Sequence, residues 1–292
     1  MGKKAIADDF LGRFREIVSD PLNLAIRRDP LAGYISDSFV HLHNGLKVPI
    51  DGPFSYYSEF SRILCINRGV HEPLEEFVFQ ELLHFLPTHP RMVELGAYWG
   101  HYSMWLLKEF PNAKVHLVEP DGNNLKAGVH NFDLNGFSGD FIEAFVGVGH
   151  FEVDGFLQDR RIPHLHILHA DIQGYEVEML DGCSSTLSNR LIDYMFISTH
   201  SQLLHLDVLK CLDQVGYRVE VSSDFESETT SYDGFIFASS PTVAPVFPNF
   251  TPMDRVAIED SEPMALCEYA SSVVQSRQQF RNAAASGHLR RD

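Results

Sequence analysis

The chain has 292 residues, 44% hydrophobic and 22% charged, which is the balance of a globular protein long enough to bury a large core. Its 40 acidic residues outnumber 23 Lys and Arg, giving a formal net charge of −17. That excess speaks against a nucleic-acid partner, which needs basic side chains for its phosphates, and against an anionic membrane surface.

No run of about 18 apolar residues is present to span a bilayer, and Met1 to Ile6 lacks the apolar centre of a signal peptide. Met1-Gly2 opens like a myristoylation site, but Ile6 stands where Ser or Thr is required. Cys65, Cys183, Cys211 and Cys267 are far apart and form no C-x-x-C pair. They read as buried free thiols of a cytoplasmic protein.

In chain order, residues 1–85 read as a helical N-terminal cap. Phe10, Leu11, Phe14 and Ile17-Val18 recur at helical spacing, as do Leu74, Phe77-Val78 and Leu82-Leu83 after the turn at His71-Glu72-Pro73. The aromatic stretch Phe54 to Phe60 between them is expected to pack the cap onto the core or to wall a substrate pocket. Residues 86–240 alternate strand and helix. Strands are expected at 91–95, 114–118, 139–146, 165–170, 193–199, 217–222 and 234–238, with helices at 100–109, 122–135, 151–159, 174–188 and 201–215. This is an α/β pattern: a Rossmann-like, seven-stranded, mostly parallel sheet with helices on both faces. Asp224 to Asp233 is too short for an ordinary crossover helix, so the last two strands are expected to pair antiparallel as an edge hairpin. Residues 241–292 carry four prolines and then a polar helical stretch from Glu262 to Arg281. They read as a loosely attached C-terminal extension, with an oligomer contact as its role.

The first strand ends in Glu94-Leu95-Gly96-Ala97-Tyr98-Trp99-Gly100, and the second in Val118-Glu119-Pro120, about twenty residues later. A glycine turn lets backbone approach a ligand, and a carboxylate ending the second strand is placed to accept hydrogen bonds from a ribose diol. The glycine spacing differs from the dinucleotide fingerprint G-x-G-x-x-G. Glu94, just before the turn, suits a cationic cofactor better than a pyrophosphate, which points to S-adenosylmethionine (SAM).

These residues resemble the class I SAM-dependent methyltransferases and, within them, the FkbM family. The likeness runs over residues 69–240 and is carried by Gly69 to Pro73, Val93 to Tyr102, Val118 to Asp121, Val153 to Leu157 and above all Asp171-Ile172-Gln173-Gly174-Tyr175-Glu176 through Gly182. The last is similar to the family's D-x-E-G-x-E-x-x-x-L-x-G signature. The chain departs from it at Gln173, where the family has Glu, and at His169, where it has Lys. The resemblance implies methylation of a hydroxyl on a sugar or secondary metabolite, a small-molecule acceptor. N-methylation of a small amine and non-catalytic SAM binding are the alternatives.

The candidate cofactor-binding residues are Glu94, Gly96, Ala97, Tyr98, Gly100 and Ser103 around the first turn, and Glu119 and Pro120 at the second strand end. Glu143 or Ala144 is expected beside the adenine. Asp171 ends the fourth strand and His200 the fifth, so the two should converge above one pocket. Both are assigned to the catalytic site, Asp171 also to the cofactor. A neutral imidazole with an ordinary pKa near 6.5 at His200 would take the acceptor's proton. His205, a helical turn on, is a further candidate for the pocket. Asp171 and His200 with a third donor would suit a transition metal better than Mg²⁺; no metal ligand is assigned. Strand alternation turns His164 and His166 away from His169 and Asp171, as packing or surface residues.

Overall fold

The computed structural model describes residues 10–285, so the N-terminal targeting expectations at Met1-Gly2 and Ile6 lie outside the described residues. Helix α1 (Phe10–Ser19) leads into three short strands, β1 (Ile35–Ser36), β2 (Phe39–His41) and β3 (Lys47–Pro49), which form a small antiparallel sheet that the sequence reading did not anticipate. Helices α2 (Arg62–Ile66) and α3 (Pro73–Leu82) follow.

The main domain is built from β4 (Arg91–Leu95), α4 (His101–Glu109), β5 (Lys114–Glu119), α5 (Gly122–Asn135), β6 (Asp140–Glu143), α6 (Val153–Asp159), β7 (Leu165–Ala170), α7 (Glu176–Asp181), α8 (Ser184–Ser188), β8 (Ile192–Thr199), α9 (Gln202–Gln214), β9 (Arg218–Ser223) and β10 (Gly234–Ser239). Its seven strands lie in the order β6-β5-β4-β7-β8-β10-β9. The first five run parallel, and β10 inserts antiparallel between β8 and β9. Alternating residues divide between two cores, as the pleat requires. Met92, Ile167, Phe196 and Phe237 face Phe77, Phe79 and Trp105, while Val93, Leu168, Ile197 and Ile236 face Val208 and Leu212.

Local chemistry sets the element ends. Asp121 caps α5 by accepting from the Asn123 and Asn124 amides, and Gly136 closes it at φ +73°. The helix expected over 174–188 is broken twice. Gln173 and Gly174 have φ of +50° and +105°, so α7 starts only at Glu176. The Asp154 carboxylate then accepts from the Ser185 and Thr186 amides at 2.7 and 2.8 Å, starting α8 as a separate helix. The third strand of the main sheet, expected to 146, ends at Glu143.

The C-terminal extension is not loosely attached. After α10 (Arg255–Asp260), helix α11 (Pro263–Ala285) buries Ala270 and Val273 and lays the Arg277 guanidinium 4.3 Å from the Phe247 ring centre. Arg277 is only 4% exposed. Its Nε donates to Glu81 Oε2 at 3.1 Å and its Nη1 to the Val246 carbonyl at 2.5 Å, while Arg281 grips the same Glu81. Losing Arg277 leaves Glu81 paired with Arg281 alone and removes the charged hydrogen bonds to Glu81 and the Val246 carbonyl, at a cost of about 2 kcal/mol. Arg277→Ala is therefore expected to lower the urea midpoint by a corresponding amount with no change in m value; a loss below about 1 kcal/mol would make α11 a passive passenger. Among the described residues no helix is long and apolar enough to cross a membrane; all four cysteines are free thiols, but only Cys183 is buried as expected, Cys65 and Cys211 being half-buried and Cys267 exposed on the polar helix α11.

Candidate active site

A cavity of about 620 Å³ opens over the carboxyl ends of β4, β5, β7 and β8, the position where open α/β sheets bind ligands. Glu94, Gly96, Ala97, Tyr98, Glu119, Pro120, Asp171 and His200 all line it, so most of the sequence-predicted residues come together. Gly100 and Ser103 support the turn from behind. Gly100 caps α4 at φ +73°, and the buried Ser103 amide donates to Glu94 Oε2 at 3.1 Å. Glu143 and Ala144 do not line the cavity; that edge is formed by Phe145 and Val146, and Glu143 lies beside Gly122 at the start of α5. His205 is also elsewhere, held 2.9 Å from both Thr199 Oγ1 and Ser222 Oγ.

The cofactor end is built from backbone. Gly96 has φ +70°, and a Cβ there would fall 1.7 Å from the Asp171 carbonyl oxygen, so only glycine lets the β4 turn pass the end of β7. Glu119 Oε2 accepts from the Tyr98 amide at 3.1 Å and Oε1 from the Asp121 amide at 3.0 Å, with Asn124 a long third donor at 3.4 Å. A carboxylate offers about four acceptor positions, so capacity remains toward the cavity. Burial raises the pKa of both Glu94 and Glu119, which means each gains from a donor or positive charge brought alongside. These residues fit the ribose hydroxyls and the ammonium end of SAM. Tyr98, at φ +40°, accepts the Tyr57 amide on its hydroxyl and donates to the Ser55 carbonyl, both at 2.9 Å. The 54–60 aromatic stretch thus walls the pocket, with Tyr56, Tyr57 and Phe60 in its lining.

The opposite end is a cluster of charge. His200 follows β8 directly, and its Nε2 lies 3.1 Å from Asp171 Oδ1 and 3.5 Å from Asp233 Oδ1. Its Nδ1 is 2.6 Å from Glu176 Oε1, an oxygen that also accepts from the Gly174 amide. Burial opposes a charge on this ring, but the hydrogen bonds to Asp171 and Glu176, with the Asp233 charge, outweigh it and lift His200 to about 10. The neutral imidazole expected from sequence is therefore an imidazolium at pH 7. Asp233 is pushed the other way for an acid, up to about 7, first by burial and then by the Asp171 charge, against the pull of His200; Glu75 adds to the rise and Arg13 subtracts.

Asp233 was not foreseen. It immediately precedes β10, whose Gly234 pairs with Thr199 of β8, so the antiparallel register sets Asp233 across from His200. Its carbonyl takes the Thr229 hydroxyl at 2.7 Å, and Arg13 of α1 holds the same loop through the Ser231 carbonyl and the Tyr232 ring. Helix α3 adds two more unforeseen carboxylates. Glu72 receives the Tyr102 hydroxyl at 3.0 Å, and Glu75 lies 2.5 Å from His169 Nε2. Burial, followed by the Asp171 charge, pushes Glu75 up to about 8.

A Rossmann-like sheet with a glycine turn, an acidic second strand end and a carboxylate-lined cavity at the switch point is the architecture of a SAM-dependent methyltransferase. Residues 51–219, more than half of the chain, match the FkbM methyltransferase domain, and the chain belongs to that family. SAM is its cofactor. No curated protein matches the sequence. Solved structures with a similar fold include precorrin-6y C5,15-methyltransferase from Geobacter metallireducens, at 17% identity over 56% of this chain and 86% of that one, with a TM-score of 0.42. Another is TrmK from M. capricolum with S-adenosylhomocysteine, at 10% identity over 73% and 98%, with a TM-score of 0.41. A third is a SAM-dependent methyltransferase from Aquifex aeolicus, at 14% identity over 56% and 90%, with a TM-score of 0.39.

Proposed function

We propose that this enzyme methylates a hydroxyl of a small acceptor, a sugar or secondary metabolite, with Asp171, His200 and Asp233 handling the acceptor. The observation that carries this reading is a carboxylate with its pKa near neutrality, Asp233, facing on the cavity wall an imidazole raised to about 10 and so charged at pH 7. SAM, when bound, supplies an electrophilic methyl carbon attached to positive sulfur. Glu119 and Glu94 fix the cofactor's two polar ends, and the aromatic wall of Tyr56, Tyr57 and Tyr98 keeps water out. Asp233 would take the hydroxyl proton as the acceptor oxygen displaces sulfur from the methyl carbon, the carbon–sulfur bond breaking to leave a neutral thioether. His200, charged, orients both aspartates and holds Asp171 toward the acceptor.

The lining contains six carboxylates and, among its described residues, no Lys or Arg. That observation favours a second reading, methylation of a small amine, whose positive charge the chamber would accept. The test of both is incubation with methyl-labelled SAM and a panel of polyols, glycosides, phenols and amines, with products separated and sequenced by mass spectrometry. Labelled ethers support the first reading. Label on nitrogen alone moves the assignment to the second, and SAM binding without product across the panel would reduce the chain to a cofactor-binding protein.

A further inference from the structure

Away from the His200 cluster, a second set of metal-capable side chains meets, and one of them lacks the partners that burial demands. His43 from the β2–β3 connection, Glu76 from α3 and His101 at the start of α4 each offer one ligating atom, and these atoms lie within 4.8 Å of one another. All three side chains are at most 1% exposed. Both ring nitrogens of His101 lack any hydrogen-bond partner. His43 Nε2 and Glu76 Oε2 meet as a buried ion pair at 2.8 Å, and neither atom has a further hydrogen-bond partner. A buried imidazole with neither nitrogen paired, as at His101, costs folding free energy, and native structures seldom tolerate one.

We infer that His43, Glu76 and His101 form a binding site for a divalent transition-metal ion, of which Zn²⁺ is the type. Two imidazoles and one carboxylate are a donor set for borderline ions, and the nitrogen donors disfavour Mg²⁺ and Ca²⁺. The surroundings are those of a prepared site. Glu76 Oε1 is already engaged by the His71 and Glu72 amides at 2.9 and 3.2 Å and lies 2.5 Å from His71 Nδ1, which fixes the carboxylate and leaves Oε2 toward the two histidines. The His101 ring is stacked on Trp99, 5.1 Å between centres and 13° between planes, and the His43 ring stands edge-on to Trp105 at 4.5 Å. The His101 ring is therefore held in place without using its nitrogens. The three ligands come from segments distant in sequence, so one ion would tie the N-terminal loop, α3 and α4 together beside the cavity that His101 also lines.

The site is tested by elemental analysis of protein purified without metal-affinity resin or chelator, followed by chelation and titration of the apo protein with Co²⁺ under visible absorption. The expected result is about one ion per chain, with a Co²⁺ ligand-field band that His101→Phe and Glu76→Gln abolish. His101→Phe keeps a ring against Trp99, and thermal melting checks its fold: chelator should lower the wild-type melting temperature and leave the variant's unchanged. His164→Gln and Asp171→Asn control for the two other clusters of metal-capable side chains, at His164, His166 and Asp193 and at Asp171, His200 and Asp233, and should bind Co²⁺ like wild type. Wild-type protein that neither retains metal nor binds Co²⁺ overturns the inference. So does a band that survives His101→Phe and disappears in either control.

Discussion

Asp233→Asn is expected to reduce kcat by about 10²- to 10⁴-fold, the range a positioned general base supplies, while SAM affinity stays within about twofold of wild type. The pH profile carries the sharper signature. In the wild type, kcat/KM should climb as Asp233 loses its proton around pH 7 and fall as His200 loses its own near pH 10. The Asn variant should lack the rising limb and keep the falling one. Stability follows His200 with a definite sign, because its folded value lies above the unfolded 6.5. The stabilisation is complete below pH 6.5 and is lost as pH rises toward 10, so the wild-type melting temperature should decline across that interval. An Asp233→Asn enzyme retaining kcat within about threefold would place the base elsewhere or, with label on nitrogen, remove the need for one.

Glu119→Ala should weaken binding of both SAM and S-adenosylhomocysteine by about 2–4 kcal/mol, roughly 30- to 1,000-fold, since it removes charged acceptors for the ribose hydroxyls and frees the Tyr98 and Asp121 amides. Calorimetric titration reads this directly, with Asp233→Asn as the comparison that leaves the cofactor end intact. Unchanged affinity in a folded Glu119→Ala protein would move the ribose site away from the end of β5.

The parallel strands and the cofactor turn were legible because their signals are local. Apolar runs mark β4, β5, β7 and β8, and Gly96 and Glu119 stand at fixed distances from strand ends. Asp171 and His200 followed from the same logic. Asp233 was not legible, because its position depends on the antiparallel register between β10 and β8 rather than on any neighbouring residue. The glutamates of α3 were hidden for another reason: acidic residues in a first helical turn ordinarily complement the helix dipole at the surface, whereas Glu75 and Glu76 are buried. An isolated imidazole has its usual pKa, and nothing in the chain order announces that three carboxylates converge on His200. The small β1–β3 sheet is made of strands of two or three residues, too short for alternation to appear. The polar tail looked loosely attached because Arg277 finds its carboxylate partner 196 residues earlier in the chain.

The match to the family ends at residue 219, inside β9, while β10 occupies the place between β8 and β9. A fragment trimmed to that homology boundary would leave β8 as a raw sheet edge with its N–H and C=O groups unpaired, and would discard Asp233 with the strand that aims it. The stretch beyond the family match thus completes both the sheet and the wall of the cavity, through β10 and Asp233.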